Sequence, residues 1–336
     1  MKKSFSILFA MLVLLAGKIY AQESGPLKLV QTYKLPADVK GNFDHFAIDL
    51  SGNRLFATPE EYKAVLVFDL KSGKLIHKIS GIEKPHAVLY RPDLKRLFIT
   101  DGEAGDVKIV DSESYATLSS VKLLEDADSI GYDPKTKYLY IDNGGGDVHQ
   151  TYSMLSVVDT SAGKKVADIK VDGDTLEAMV LDNASSRIFL NNKAKNQVDV
   201  IDRDKRTLLT SWPITKSKTN VAMTYDAANH RLFIGCRGGN IVVLDTESGK
   251  EVAVLDITKG VDDIVFDPAS KRLYASCDGD ADVFQQTDAN TYKSLGKVPT
   301  GALARTALLV PELHRYFVAV PQKGSGSAEI KVYQVQ

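Results

Sequence analysis

The tripeptide Arg54-Leu55-Phe56 returns six times with small changes, as Arg96-Leu97-Phe98, Tyr138-Leu139-Tyr140, Arg187-Ile188-Phe189, Arg231-Leu232-Phe233, Arg272-Leu273-Tyr274 and Arg315-Tyr316-Phe317. Successive copies are 42, 42, 49, 44, 41 and 43 residues apart. A fixed period of that length is the mark of a repeated supersecondary unit. Five residues before the tripeptide stands an Asp in five copies (Asp49, Asp133, Asp182, Asp226, Asp267), with Arg91 and Val310 in the other two. Asp at that spacing opens a tight turn, because its carboxylate accepts hydrogen bonds from the backbone ahead of it.

Short apolar runs surround this turn and alternate with polar residues at the period of strands, and no window carries a helical period. One run precedes the Asp, as in Ala87 to Tyr90 and Ile264 to Phe266, and the tripeptide itself is the second. A third run ends in Asp at Asp69, Asp111, Asp159, Asp202 and Asp245 and passes through a turn, Ser72-Gly73-Lys74 being an example, into a fourth. Four antiparallel strands repeated seven times predict an all-β fold, a seven-bladed β-propeller. The seventh unit has one strand too few, and Leu27 to Leu35 reads like the missing fourth strand. The ring is therefore expected to close by the N-terminal strand joining the last blade, which also hides two edges.

The expected organisation is a signal peptide over residues 1–21 and one propeller domain over 22–336. Its blades fall at about 43–82, 84–125, 126–172, 174–217, 219–260, 261–301 and 303–336, the last completed by 27–35. Lys2 and Lys3, the apolar run Ile7 to Ala16 and small residues ending at Ala21 have the pattern of a secretory signal. The apolar run is too short to span a bilayer. A periplasmic or secreted location and a monomer with no membrane span follow as expectations.

Segments such as Leu155-Ser156-Val157-Val158-Asp159-Thr160-Ser161-Ala162-Gly163-Lys164 and Pro85-His86-Ala87-Val88 resemble the repeats of YVTN/YncE-like seven-bladed propeller proteins, and the resemblance covers essentially the whole chain beyond the signal. It implies the fold and a binding role, without naming a ligand. A WD40 pattern does not fit, since Trp212 is the single tryptophan.

Composition narrows the function classes. The chain of 336 residues has 42 basic and 43 acidic residues, and loss of Lys2, Lys3 and Lys18 with the signal leaves 39 against 43. A slight acidic excess disfavours nucleic acid, whose binding depends on phosphate neutralisation. Motifs for metalloproteases, serine hydrolases, redox dithiols and haem attachment are missing, so covalent catalysis has no support in the sequence. Cys236 and Cys277, at equivalent positions of neighbouring blades, read as free buried thiols.

The innermost strand of each blade starts at the channel mouth. The position five residues before the Asp49 type is Asp44, His86, Asp128, Glu177, Val221 (beside Asn220), Asp262 or Arg305, with His45, Ser129, Asp263 and Thr306 next to them. Second strands end on the same face, bringing Glu60, Asp101, Asp142 and Arg237. The candidate ligand-binding set is Asp44, His45, His86, Asp101, Asp128, Glu177, Asn220, Asp262 and Arg305. Carboxylates with imidazoles suit a divalent cation or a small polar ligand, while a merely solvated rim of loop ends accounts for the same residues.

Three functions therefore compete. The first is a non-enzymatic exported protein binding a small polar ligand, a cation or a protein partner, with no cofactor required. The second is a metal-assisted, lactonase-like hydrolase using Asp44, His86, Glu177 and Asp262 as ligands or bases and Arg305 as electrophile. The third, single-stranded nucleic-acid binding, is the weakest. The insert at Asn143 to Tyr152, with three consecutive glycines, reads first as a flexible loop tip, and His149 or Tyr152 folded over the mouth is the alternative. Asp278, Asp280 and Asp282 have the look of a calcium loop, but Val283 and Ala289 break the EF-hand pattern.

Overall fold

A computed structural model describes residues 25–336; the expected signal at residues 1–21 lies outside them. Its order is set by the two middle residues of each repeat. Neighbouring side chains on a strand point to opposite faces, so Leu55 and Phe56, both fully buried, enter different seams between blades. Leu55 joins the apolar cluster between blades 7 and 1, and Phe56 the cluster between blades 1 and 2. Leu97 and Phe98 divide in the same way, as do Leu139 and Tyr140, and so on round to Tyr316 and Phe317. Phe317 meets Leu55 in the seam where the circuit began.

Each of the seven sheets has four antiparallel strands, in sequence order in six of them, while in the seventh the first strand of the chain follows the last. Blade 1 consists of Ala47–Asp49, Arg54–Ala57, Ala64–Asp69 and Leu75–Ser80. The first and second strands meet in a turn where Asp49 pairs in register with Arg54. Asp49 Oδ1 accepts from the Gly52 amide at 2.8 Å, and Arg54 Nη2 donates to Asp49 Oδ2 at 2.7 Å. That contact explains the spacing of five residues: the carboxylate shapes the turn and anchors the guanidinium. Blade 4 repeats it with Ala184 and Arg187 around Asp182.

The same arginines cross to the next blade. Arg54 donates to the Ser112 carbonyl, Arg187 to the Thr246 carbonyl at 2.7 Å, Arg231 to Asn290 at 2.8 Å and Arg272 to the Gln336 carbonyl. In blade 2, Arg91, at the position where Asp is usual, reaches Thr160 itself. Arg315 is different, since its guanidinium bonds only within blade 7. At that seam the Leu70 carbonyl, equivalent to those of Ser112 and Thr246, accepts from the Tyr33 hydroxyl at 2.5 Å.

Tyr33 belongs to the closing strand Leu27–Lys34, which pairs antiparallel with Glu329–Val335 from Leu27 opposite Val335 to Lys34 opposite Glu329. The N-terminal strand thus completes blade 7. Replacing Tyr33 with Phe leaves the Leu70 carbonyl without its donor in a buried place. We expect a loss of about 1–3 kcal/mol in chemical unfolding, and an unchanged midpoint would show that water replaces the hydroxyl.

Among the described residues the helical pieces are three short 3-10 turns, Glu60–Tyr62, Gly145–Val148 and Pro311–Leu313, and no helix is long and apolar enough to cross a membrane. The Gly145–Val148 turn lies in the insert of blade 3. Gly145 has φ +71°, and a Cβ there would stand 2.3 Å from the Asp174 carbonyl oxygen, so the turn docks against the start of blade 4 only because it is glycine. That docking holds the insert away from the mouth. Neither His149 nor Tyr152 lines the mouth, and the Tyr152 ring lies under Lys170 Nζ at 3.6 Å.

Both cysteines are buried free thiols in different seams. Burial pushes Cys236 up to about 11 and Cys277 higher still.

Candidate functional site

The inner strands begin with local irregularity. Their pairing slips between Pro85 and Val88, between Leu176 and Met179, and between Asn220 and Ala222. Such bulges relax strict alternation, and consecutive residues such as Glu177 and Ala178 both line the channel mouth. Second-strand ends hold the backbone there: Thr58 Oγ1 donates to the His45 carbonyl at 2.8 Å, and Thr100 Oγ1 to the Asp128 carbonyl at 3.0 Å.

The mouth is a cavity of ≈ 180 Å³. Six of the nine residues expected from the sequence line it: Asp44, His45, His86, Asp128, Glu177 and Asp262. Asp101, Asn220 and Arg305 are not in its lining. The Asp101 carboxylate accepts from the Glu83 and Lys84 amides at 2.8 and 2.9 Å, and so positions the loop that carries Lys84. Asn220 is fully buried and donates to Asn191 Oδ1 and the Gln197 carbonyl, tying blades 4 and 5. Arg305 lies beside the Gly260 loop of blade 6.

The other lining groups are Glu60 and Arg237, from the ends of second strands, and Lys84 and Asp126, which the sequence reading missed. Lys84 and Asp126 stand two residues before His86 and Asp128. Both lie in the loops before inner strands that begin at Pro85 and Ile130, so no strand period marks them, and the shared offset from the ring positions was the available signal.

At the centre, the ligand atoms of Asp44, His45 and Asp128 all lie within 4.8 Å of one another. His86 Nδ1 donates to Asp44 Oδ2 at 2.5 Å and stands 3.5 Å from Asp128 Oδ1. His45 Nε2 lies 3.4 Å from Asp44 Oδ1, and its Nδ1 lies 3.2 Å from Asp263 Oδ1 in blade 6. Asp263 is itself fixed, because its other oxygen accepts from the Ala307 amide at 2.8 Å. His45 thus spans from blade 1 past blade 7 to blade 6.

Charge is crowded here. Burial opposes charge on the His45 ring, yet Asp44 and Asp263 outweigh it and hold the imidazolium well above the usual histidine range. Burial likewise opposes charge on His86, and Asp128 and Asp44 carry it up to about 9. Both histidines, against the effect of burial, keep Asp44 below the usual carboxylate range. Burial raises Asp128, with repulsion from Asp44 adding to it.

Around this centre, burial and then Asp44 push Glu60 up to about 7, and burial and then Asp128 push Asp126 up to about 6. Glu177 rises to about 7 through burial, although Lys193 Nζ sits 2.6 Å from its Oε1. The buried Asp142 is raised well above its usual value by burial and then Asp128, and its Oδ1 has no partner. Carboxyl groups outnumber the cationic side chains in this lining.

The calcium-like run does not form a comparable group. Asp278 accepts from the Leu303 amide, Asp280 from Thr258 Oγ1, and the buried Asp282 from the Thr258 amide, with Lys297 at 3.3 Å.

No protein-family model and no curated protein matches the sequence. A chain of Kuenenia stuttgartiensis hydrazine synthase is similar in structure, with a TM-score of 0.75 and 17% identity over 90% of this chain and 98% of that one. A chain from the crystal structure of a mitotic checkpoint complex gives a TM-score of 0.73 and 14% identity, with 99% of each chain covered. At these identities the likeness is one of fold alone, a propeller scaffold.

Proposed function

We propose that this propeller, whose repeats resemble those of the YVTN/YncE-like proteins, is an exported monomeric binding protein that holds a divalent cation at its channel mouth. The observation that carries the reading is the convergence of Asp44, His45 and Asp128, with ligand atoms within 4.8 Å of one another. One imidazole with two carboxylates suits borderline ions such as zinc or manganese. Asp263 supports it from behind, since a ligating histidine usually donates its other ring N–H to a carboxylate. The ion would displace the proton on His45 Nε2 and balance the charge of Asp44 and Asp128.

Isothermal titration with zinc and with manganese tests the reading. The protein is expected to take up one ion, the double variant Asp44→Asn with Asp128→Asn to bind none, and Asp263→Asn to weaken binding about 10- to 100-fold. Wild-type protein that binds neither ion, or a double variant that binds as well as wild type, refutes the cation site.

A metal-assisted hydrolase is the second reading, favoured by Glu60 and Glu177 at about 7, where a carboxyl exchanges protons readily at neutral pH. Turnover of a lactone panel by zinc-loaded protein, lost in Glu177→Gln, would establish it. Single-stranded nucleic acid is disfavoured at this face, because the carboxylates of the mouth repel phosphate.

A further inference from the structure

Beneath the charged mouth the channel changes character. A second cavity of ≈ 340 Å³ shares His45, Ser129, Ala178 and Asp262 with the mouth, so the two adjoin. Most of its lining residues are apolar, among them Ala87, Met179, Met223, Ile264 and Leu308, while polar groups supply nearly half of its exposed surface. The layering follows from the repeat. The residue after the mouth position is small in three blades (Ala87, Ala178, Ala222), and the next is Val88, Met179 or Met223. Two neighbouring blades supply Ile130 and Ile264 at that deeper level.

A cavity of this size falls within the range of small-molecule pockets, roughly 300–1,000 Å³. Against the apolar side chains of this wall an aliphatic group gains its transfer free energy. At the upper end, three protein ligands leave coordination positions of an ion open to a further donor. Arg237 lines the same mouth with an Nε–H that has no partner, a donor suited to an oxygen acceptor.

We infer that the ligand of this protein is an amphipathic molecule whose oxygen-donor head completes the coordination of the cation and whose short aliphatic tail descends into the apolar channel. This rests on the cation site proposed above. The occupant is a small molecule with a polar end and a chain, and the axial order of charged, small and bulky apolar residues sets its direction.

Alkyl hydroxamates serve as probes, since their two oxygens chelate a divalent ion and their chain length is freely varied. Acetohydroxamate, butanohydroxamate, hexanohydroxamate and octanohydroxamate are titrated into the zinc-loaded full-length protein by calorimetry. Affinity is expected to rise by up to about fourfold per added methylene until the channel is full. Met223→Trp, which fills the lower cavity and does not line the mouth, is expected to abolish the gain with length while zinc affinity and acetohydroxamate affinity stay unchanged. Leu308→Trp, on another wall of that cavity, gives the same readout should Met223→Trp fail to fold.

Zinc binding with affinities that do not depend on chain length overturns the channel inference alone and leaves the cation site standing. A gain with length that survives in both variants also overturns it, because the tail then lies elsewhere. Failure of zinc to bind overturns the cation site and this inference together.

Discussion

A chain lacking residues 27–34 is expected to lose most of its folding stability and to precipitate on expression or melt far below the intact protein. The strand contributes to two seams at once. Leu27 packs between blades 6 and 7, and Tyr33 packs between blades 7 and 1, where Leu35, just beyond the strand, is anchored by it. Each of these side chains is at least nine-tenths buried, and burial of such a group is worth about 1.5–3 kcal/mol. The pairing with Glu329–Val335 and the bond from Tyr33 to Leu70 are lost as well. Their sum is comparable to the whole stability of a typical domain, about 5–15 kcal/mol.

The deletion also uncovers Glu329–Val335 as a free edge, a template for association with other chains. Circular dichroism melting and the soluble yield provide the measurement, and a synthetic peptide spanning 25–36, added in trans, should restore both. A truncated chain that melts where the intact protein does would overturn the view that this strand holds the ring shut.

The reason closure could be read from sequence is the same reason the blade count could. Each repeat carries an aliphatic and an aromatic residue side by side, and strand geometry sends them to opposite seams. One tripeptide therefore reports on two interfaces, and seven tripeptides describe the whole circuit. A unit short of a strand is equally visible, because the pattern stops before it is complete.

The mouth was legible only to the level of a ring. Counting back from Asp49 and its equivalents finds Asp44, His86, Asp128, Glu177 and Asp262 because the mouth lies five residues before the turn in each of these blades. The count misses Lys84 and Asp126, since both stand in loops before inner strands that begin at Pro85 and Ile130, where no strand period tells which side chain faces the axis. Asp101 and Asn220 belong to the same rim in sequence order, but their side chains serve backbone amides and a neighbouring amide group. Nothing local marks the bond between His45 and Asp263, which joins residues far apart in sequence across an intervening blade.

The stability of the ion-free protein should fall as pH rises from about 4.5 to above 7, the reverse of an ordinary acid-sensitive domain. Glu60 and Glu177 set this direction. Both carboxyls titrate at about 7 in the folded chain, against an ordinary glutamate value of 4.5. Between those two values the folded state holds more protons than the unfolded state, so each step up in pH favours unfolding. A rise of this size is worth roughly 3 kcal/mol per group. The two share one repulsive field with Asp44, Asp126 and Asp128, and the contributions do not simply add. Lys84 facing Glu60 and Lys193 facing Glu177 already oppose the effect and have not cancelled it. Urea unfolding between pH 5 and 8.5 in the presence of a chelator measures the slope. The double variant Glu60→Gln with Glu177→Gln keeps the shape of both side chains without their charge, and it should be more stable than wild type at pH 8 and flatter across the range. Zinc should act like the amide substitutions, stabilising the wild type most at the alkaline end, where the mouth carries the most negative charge. A wild-type profile that is flat or rises with pH would mean that the mouth is already balanced, and would remove the electrostatic reason for it to take up a cation.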